Sequence, residues 1–437
     1  MPEIYENPLE LLQTLVRFDT TNPPGDEKEI IHYLQTILEN AGLETTLLAK
    51  TDNRPNLITR LKGRGDAPPL LLQAHVDVVT TANQPWTHPP FAAEIHDGMV
   101  WGRGTLDDKS GVAMMVAALL RAKAENTSLP GDVILVILAD EEANGTYGAK
   151  FLVEEHPGLF DGVRICLGEG GGPSITMGGQ KFYTIMVAEK QLCSVRLTLH
   201  GQAGHGSVPF YGTGAMYQLS RVLKLLTSKR LPVHVLPIVK QMLETIGENL
   251  PFPTGMALRQ MANPALTDRM LALAGAQGRL LEPMLHNTVS PTIVQGGQKI
   301  NVIPSEITLD LDGRLLPGFH QTDMLRELRA ILGNDVGIEI TNYEPGIEAI
   351  DMRWYDTLAN ILREADPEGI PIPILLSGVT DGRFFAQLGI QTYGFQPMHL
   401  PTGLLDTIHA ADERIPVEAM DFAANAMFQA IQRLGVE

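Results

Sequence analysis

The sequence predicts an α/β protein whose main domain is interrupted by a smaller α+β domain. Three features lead there. Short runs apolar on both faces, at 56–61, 69–74, 132–139 and 164–167, alternate with helix-like segments, the pattern of a sheet covered on both sides. From about Leu192 the strands become half-buried, as in "SVRLTLHG" and "ITLDLDGRLL". After about Pro345 the first style returns, and 437 residues exceed what one core usually organises.

Taken in order, residues 7–18 and 25–42 carry apolar positions at helical spacing, with Asn22-Pro23-Pro24-Gly25 breaking the chain between them. Helix-like segments at 110–124 and 145–155 separate the first strands. The alternating strand "SVRLTLHG" is followed by a long, mostly helical stretch, 213–285, with prolines at its breaks. A strand in "ITLDLDGRLL", a helix at 322–332 and the strand "VGIEITNY" complete a β-α-β-β-α-β unit. "PIPILL", "TYGFQ" and a helix from Val417 close the chain. The expected domains are 1–190 with 346–437, and 191–345.

The composition, 44% hydrophobic and 19% charged, is that of a globular protein. A net charge of −18 argues against nucleic-acid or anionic-membrane partners, which reward clustered Lys and Arg, and says little about a small-molecule substrate. Acidic residues stand where a signal peptide would need a basic start, and no apolar run is long enough to span a bilayer. Cys166 and Cys193 lie in strand-like sequence, and two thiols make no disulfide framework. A soluble cytoplasmic protein is expected.

Several polar clusters follow strands, and ligands bind at the carboxyl ends of open α/β sheets. "LLLQAHVDVV" ends at His75 with Asp77 two residues on: a metal-bound imidazole with its orienting carboxylate, or a surface pair. Asp107-Asp108 precedes a helix and fits either a metal site or an N-cap. "VILVILADEEANG" delivers Asp140, Glu141 and Glu142 to one loop, where burial is costly unless cations or solvent receive them. Glu169 ends another strand ahead of three glycines, and His409 lies among polar residues in "DTIHAADERIP". Together, His, Asp, Glu, Glu and His suit Zn²⁺, with Mn²⁺ or Co²⁺ as alternatives, and one carboxylate can bridge two ions.

These motifs, with "PPFAAEIHDGMVWGRGTLDDK", "GQAGHGSVP", "NVIPSEITLDLDGRLLPG" and "SGVTDGRFF", run nearly end to end. The chain resembles the co-catalytic dizinc metallopeptidase and amidohydrolase family of acetylornithine deacetylase, succinyl-diaminopimelate desuccinylase, aminoacylase and carboxypeptidase S. "GRGTLDDK" most resembles the carboxypeptidase S and N-acyl amino acid hydrolase branch. That branch usually has Asp before the Glu of the EGG turn; here Gly168 takes its place.

The resemblance implies a phosphorylase/hydrolase-like catalytic domain with a mixed sheet between helices, and a ferredoxin-like lid that dimerises. It implies Asp107 as the bridge between two zinc ions, His75 and Glu169 on one, Glu142 and His409 on the other. Asp108 is then expected to cap the following helix, and Arg103 to be structural. Glu141 would be the general base and Asp77 would orient His75. His205 would reach a partner's site to stabilise the oxyanion, making a homodimer. Asn301, Arg314, Gly378 and Thr380, with Arg383 as a further candidate, would hold the substrate carboxylate. The expected reaction is hydrolysis of an amide beside a free α-carboxylate, in an N-acyl amino acid or a short peptide. The rivals are a biosynthetic deacylase of the acetylornithine type and a metal-binding scaffold without turnover; retention of Glu141 argues against the scaffold.

Overall fold

The protein is described here by a computed structural model, which covers residues 4–435. The chain divides into two compact units. The first comprises Met1–Ala188, Ile350–Ile374 and Thr380–Glu437; the second comprises Glu189–Ala349 and Leu375–Val379. Against expected divisions after 190 and 345, the chain changes unit at Ala188 and at Ala349, and a short segment containing Gly378 joins the second unit.

The first unit is built on a mixed nine-stranded sheet. Its centre is parallel: Val133–Leu138, Leu70–His75, Ile165–Gly168 and Gln391–Gly394 lie side by side. The first three are buried along their whole length, as strands covered on both faces must be. Antiparallel strands extend the sheet, Pro55–Leu61 and Thr45–Ala49 on one side, Gln180–Glu189 on the other. One face packs Leu71, Ile134, Val136, Leu138 and Cys166 against Phe151, Leu152, Phe384 and Phe385.

Helix Lys109–Ala124 is buried on nearly every side, between Pro8–Val16 and Ala419–Arg433. Helix Ala149–Glu155 starts later than its apolar spacing suggests. The preceding residues turn tightly, and a Cβ at Gly148 would lie 1.8 Å from the Ala139 carbonyl oxygen. A small sheet absent from the sequence reading joins Ile95–His96, Met99–Trp101 and Arg414–Pro416.

The second unit carries a four-stranded antiparallel sheet in the order Thr288–Gly296, Glu306–Leu315, Gln191–His200, Gly337–Glu344. The two central strands alternate buried and partly exposed residues, and the buried row packs on helices Ala215–Ser228 and Gln321–Leu332. The stretch read as long and helical resolves into five helices, from Ala215–Ser228 to Ala276–Leu285.

Two buried charged groups give stability predictions. In the first unit, Arg54 pairs with Glu27 at 2.6 Å and with Asp140 at 2.9 Å, all three nearly inaccessible. Gly25 lies against this guanidinium at φ +77°, and a Cβ there would sit 2.3 Å from Arg54 Cζ. Arg54→Met leaves two carboxylates buried without their cation, and urea denaturation is expected to show a loss of about 3–5 kcal/mol.

In the second unit, Lys190 donates to the His286 carbonyl at 2.9 Å and to Thr288 Oγ1 at 2.8 Å. Burial, helped by Arg314, pushes its ammonium down to about 7 from the ordinary 10.5. Between those values the unfolded chain binds the extra proton, so this contribution to stability grows as pH rises and is lost as pH falls through about 7. The stability advantage of wild type over Lys190→Met is therefore expected to increase from neutral to alkaline pH. A gap independent of pH would contradict it.

Candidate metal centre

Parallel register brings the candidate residues to one edge of the first unit. His75 ends its strand opposite Leu138, so the chain carrying Asp140, Glu141 and Glu142 emerges beside it. Leu72 lies opposite Leu167, which brings Glu169 to the same edge. Asp107 comes from the turn before helix Lys109–Ala124, and His409 from the loop after Leu404–Thr407.

The side chains converge in two groups that share one residue. Ligand atoms of His75, Asp107 and Glu169 lie within 4.8 Å of one another, and so do those of Asp107, Glu142 and His409. His75 Nε2 is 3.0 Å from Asp107 Oδ1, while His409 Nε2 is 3.0 Å from Asp107 Oδ2. Each oxygen of Asp107 thus faces a different imidazole. Glu142 reaches His409 at 3.3 Å and Glu169 reaches His75 at 3.8 Å.

The fit to cations can be judged from the donors. Imidazole nitrogens and carboxylate oxygens are the set that suits borderline divalent ions. Glu142 Oε1 is buried with no hydrogen-bond partner. Such an atom pays desolvation without return unless a cation meets it.

Electrostatics follow from crowding like charges. Burial opposes charge on His75, but hydrogen bonds to Asp107, Asp77 and Glu169 outweigh it and raise the imidazole well above its usual value. Burial likewise opposes ionisation of Asp107, yet His409 and His75 hold its carboxyl far below the usual range. Glu141, which has no such imidazole partner, is pushed well above its ordinary value by burial and the Glu169 charge. The adjacent glutamates thus sit in different environments.

The supporting residues were only partly expected. Asp77 faces His75 Nδ1 through its carbonyl oxygen at 3.0 Å and through its carboxylate at 3.4 Å. The same carboxylate accepts from the backbone N–H groups of Glu141 and Glu142, at 3.0 and 3.1 Å, and from Asn22. It therefore fixes the glutamate turn as well as touching His75.

Asp108 corrects an expectation. It occupies the N-cap position, but its side chain makes no capping bond. It turns inward instead, accepting from Gln396 Nε2 at 2.6 Å and from the His75 amide at 3.3 Å.

Glu413, adjacent to the acidic loop, went unrecognised. It is fully buried, accepts from the amides of Gly104, Leu106 and Asp107, and pairs with Arg103. Arg103 also donates to the Ala410 carbonyl, which ties the Asp107 turn to the His409 loop. An acid just before the short strand Arg414–Pro416 was the available signal. His409 and Asp140 sit at φ +61° and +71°. Left-handed backbone costs roughly 1–2 kcal/mol per non-glycine residue.

The other candidates are distributed between the units. His205, Asn301, Arg314 and Gly378 belong to the second, Thr380 to the first. His205 is exposed, 2.7 Å from Ser207 Oγ, and its strand pairs with Val302 so that Asn301 lies alongside. Arg314 is engaged with Asp312 at 2.8 Å. Thr380 is buried, its hydroxyl accepting from the Gly382 amide. Arg383 donates to the Thr380 carbonyl, and Gly378 is exposed.

Comparison with known proteins identifies the family. The human N-fatty-acyl-amino acid synthase/hydrolase PM20D1 is 27% identical over 373 residues, covering 83% of this chain and 74% of its own. The M20 family metallo-carboxypeptidase Sso-CP2 from Sulfolobus solfataricus superposes with a TM-score of 0.68 at 16% identity, covering 97% of this chain and 98% of its own. The Bacillus subtilis YXEP protein, a dinuclear metal binding peptidase of the M20 family, does so at 0.61 and 15%, covering 98% and 97%. The family model for Peptidase family M20/M25/M40 matches residues 71–433. From the start of the His75 strand to the last helix, therefore, the chain belongs to Peptidase family M20/M25/M40 and is a metal-dependent amide hydrolase.

Proposed function

We propose that this enzyme uses two zinc ions to hydrolyse an amide beside a free α-carboxylate, in an N-acyl amino acid or at the C-terminal end of a short peptide. The observation that carries the reading is the division of Asp107 between two histidines, one per carboxylate oxygen, each at 3.0 Å. In this reading Asp107 bridges, His75 and Glu169 hold one ion, and Glu142 and His409 hold the other. Co²⁺ or Mn²⁺ would satisfy the same donors.

Bound there, a pair of ions supplies a nucleophile at neutral pH and polarises the scissile carbonyl. Glu141 takes the proton from the attacking water and passes it to the departing amine, a role that needs a carboxylate with a raised pKa. Asp77 keeps His75 oriented and holds the turn that separates Glu141 from Glu142. The substrate carboxylate is assigned to Arg314, Asn301 and Gly378 of the second unit and Thr380 of the first. A guanidinium fork suits that task, and Arg314 Nη1 is buried without a hydrogen-bond partner. His205 acts on the oxyanion in a partner's site, which requires a homodimer formed through the second unit. The acyl preference is supported by the likeness to the N-fatty-acyl-amino acid hydrolase.

Glu141→Gln should retain its metal and lose about 10²–10⁴-fold in kcat on N-lauroyl, N-acetyl and dipeptide substrates. Metal content and turnover measured on the same samples decide this, and full activity in the variant would remove Glu141 as base.

For His205, inactive His205→Ala is mixed with inactive Glu141→Gln under conditions that exchange subunits. Each hybrid then carries one intact site if the histidine acts in trans, and activity returns. No recovery despite demonstrated hybrids means that His205 does not act across the dimer.

A further inference from the structure

The two histidines that face Asp107 are held in different ways. His75 is 1% exposed, ends a buried strand and turns its Nδ1 to Asp77. The His409 side chain is 52% exposed and belongs to a loop in which His409 and Asp412 both have left-handed backbone, φ +61° and +63°. A metal-bound imidazole ordinarily has its second nitrogen tied to a neighbour. Among the described residues, His409 meets its partners through Nε2 alone. What fixes this histidine therefore acts through its backbone.

The segment 84–87 supplies that restraint. Gln84 Nε2 donates to the His409 carbonyl at 2.9 Å. Its Oε1 accepts from Arg103 Nη2 at 3.0 Å and from the Trp86 indole N–H at 3.2 Å. Guanidinium and indole nitrogens only donate, so the amide oxygen has to face them and the amide nitrogen has to face the carbonyl. Turning the amide over would lose all three bonds. The support behind it is firm, because Arg103 is buried, pairs with Glu413 and lies over the Trp86 ring at 5.3 Å. Thr87 completes the contact, donating to Asp412 through its amide at 2.7 Å and its hydroxyl at 2.8 Å.

We propose that Gln84 is a positioning residue for the metal centre: by holding the His409 carbonyl, it keeps that imidazole turned to the ion assigned to Asp107, Glu142 and His409. The inference rests on the dinuclear reading above and adds to it a residue that offers no ligand. It also has a direction. Losing the Gln84 bond frees the backbone of a histidine whose ring is half exposed. His75 keeps its strand and its Asp77 contact, neither of which involves Gln84. The two ions are therefore affected unequally.

The test is Zn²⁺ affinity, measured by competition with a chelator on the metal-free protein, for wild type, Gln84→Met and His409→Ala. Gln84→Met keeps the length of the side chain and removes its donor and acceptor. It is expected to bind one Zn²⁺ about 10–100-fold more weakly than wild type and the other unchanged. Turnover of the variant should recover as Zn²⁺ is raised. Wild-type affinity for both ions overturns the proposal, and so does equal weakening of both, which is what general loosening of the fold would give. If Gln84→Met does not fold, Gln84→Asn, whose amide is one methylene short of its partners, is read in the same way. His409→Ala separates this inference from the reading beneath it. If that variant binds both ions as wild type does, the dinuclear assignment itself fails; if it loses one ion while Gln84→Met loses none, only the role of Gln84 falls.

Discussion

The repulsion among carboxylates gathered at one edge of the central sheet is the constraint around which the first unit is arranged. Asp107, Glu141, Glu142 and Glu169 converge there, with Asp77 and Asp108 buried behind them. Like charges in a poorly solvated place raise one another's pKa unless something positive intervenes. Two imidazoles do so directly, and both turn toward Asp107. The carboxylate with the most hydrogen-bonded positive charge stays ionised most easily, while Glu141, without such a partner, is driven the other way. In the proposed mechanism the same inequality suits Asp107 to bridging and Glu141 to acting as base.

Holding such a cluster requires a rigid surround. Glu413 gathers three consecutive-turn amides onto one oxygen and Arg103 onto the other, so the backbone before Asp107 has little freedom. Asp77 does the equivalent for the glutamate turn, and Arg54 clamps Asp140 at the start of that turn. These are buried charges serving geometry. Buried ion pairs contribute little net stability against apolar replacements, yet removing one partner is costly. The arrangement is therefore better understood as positioning than as stabilisation. The small sheet around Trp101 extends the same logic outward, joining the Asp107 turn to Arg414 and, through Glu413, to the His409 loop.

The second unit follows simpler rules. Its central strands expose one face and bury the other, and the helices that cover the buried row have strong apolar faces. Its buried charged groups include Lys190, whose amine is satisfied by His286 and Thr288, and Glu327, which pairs with His234 and accepts from Asn287. The polar candidates His205 and Asn301 lie away from the core, joined by backbone pairing of two short segments nearly a hundred residues apart in sequence.

Local patterns in the sequence determined the layout: fully apolar runs made buried parallel strands, alternating runs made a half-exposed antiparallel sheet, and acids or histidines just past the apolar runs marked the sheet edge. Of the five residues in the two converging groups, His75, Glu142 and Glu169 follow buried strands and are conspicuous by composition, whereas Asp107 and His409 stand out only through the family resemblance. Periodicity placed the helices but overran their ends at Gly148, where a close backbone approach overrides propensity. What only the tertiary structure decided were partnerships across long separations. Asp108 has the residue type of a cap, but Gln396, 288 positions away, draws its carboxylate inward. Glu413 looked like one more loop acid until three amides and an arginine closed on it. Spacing along the chain reports which face a residue occupies; charge compensation depends on which residues meet, and that is set by folding.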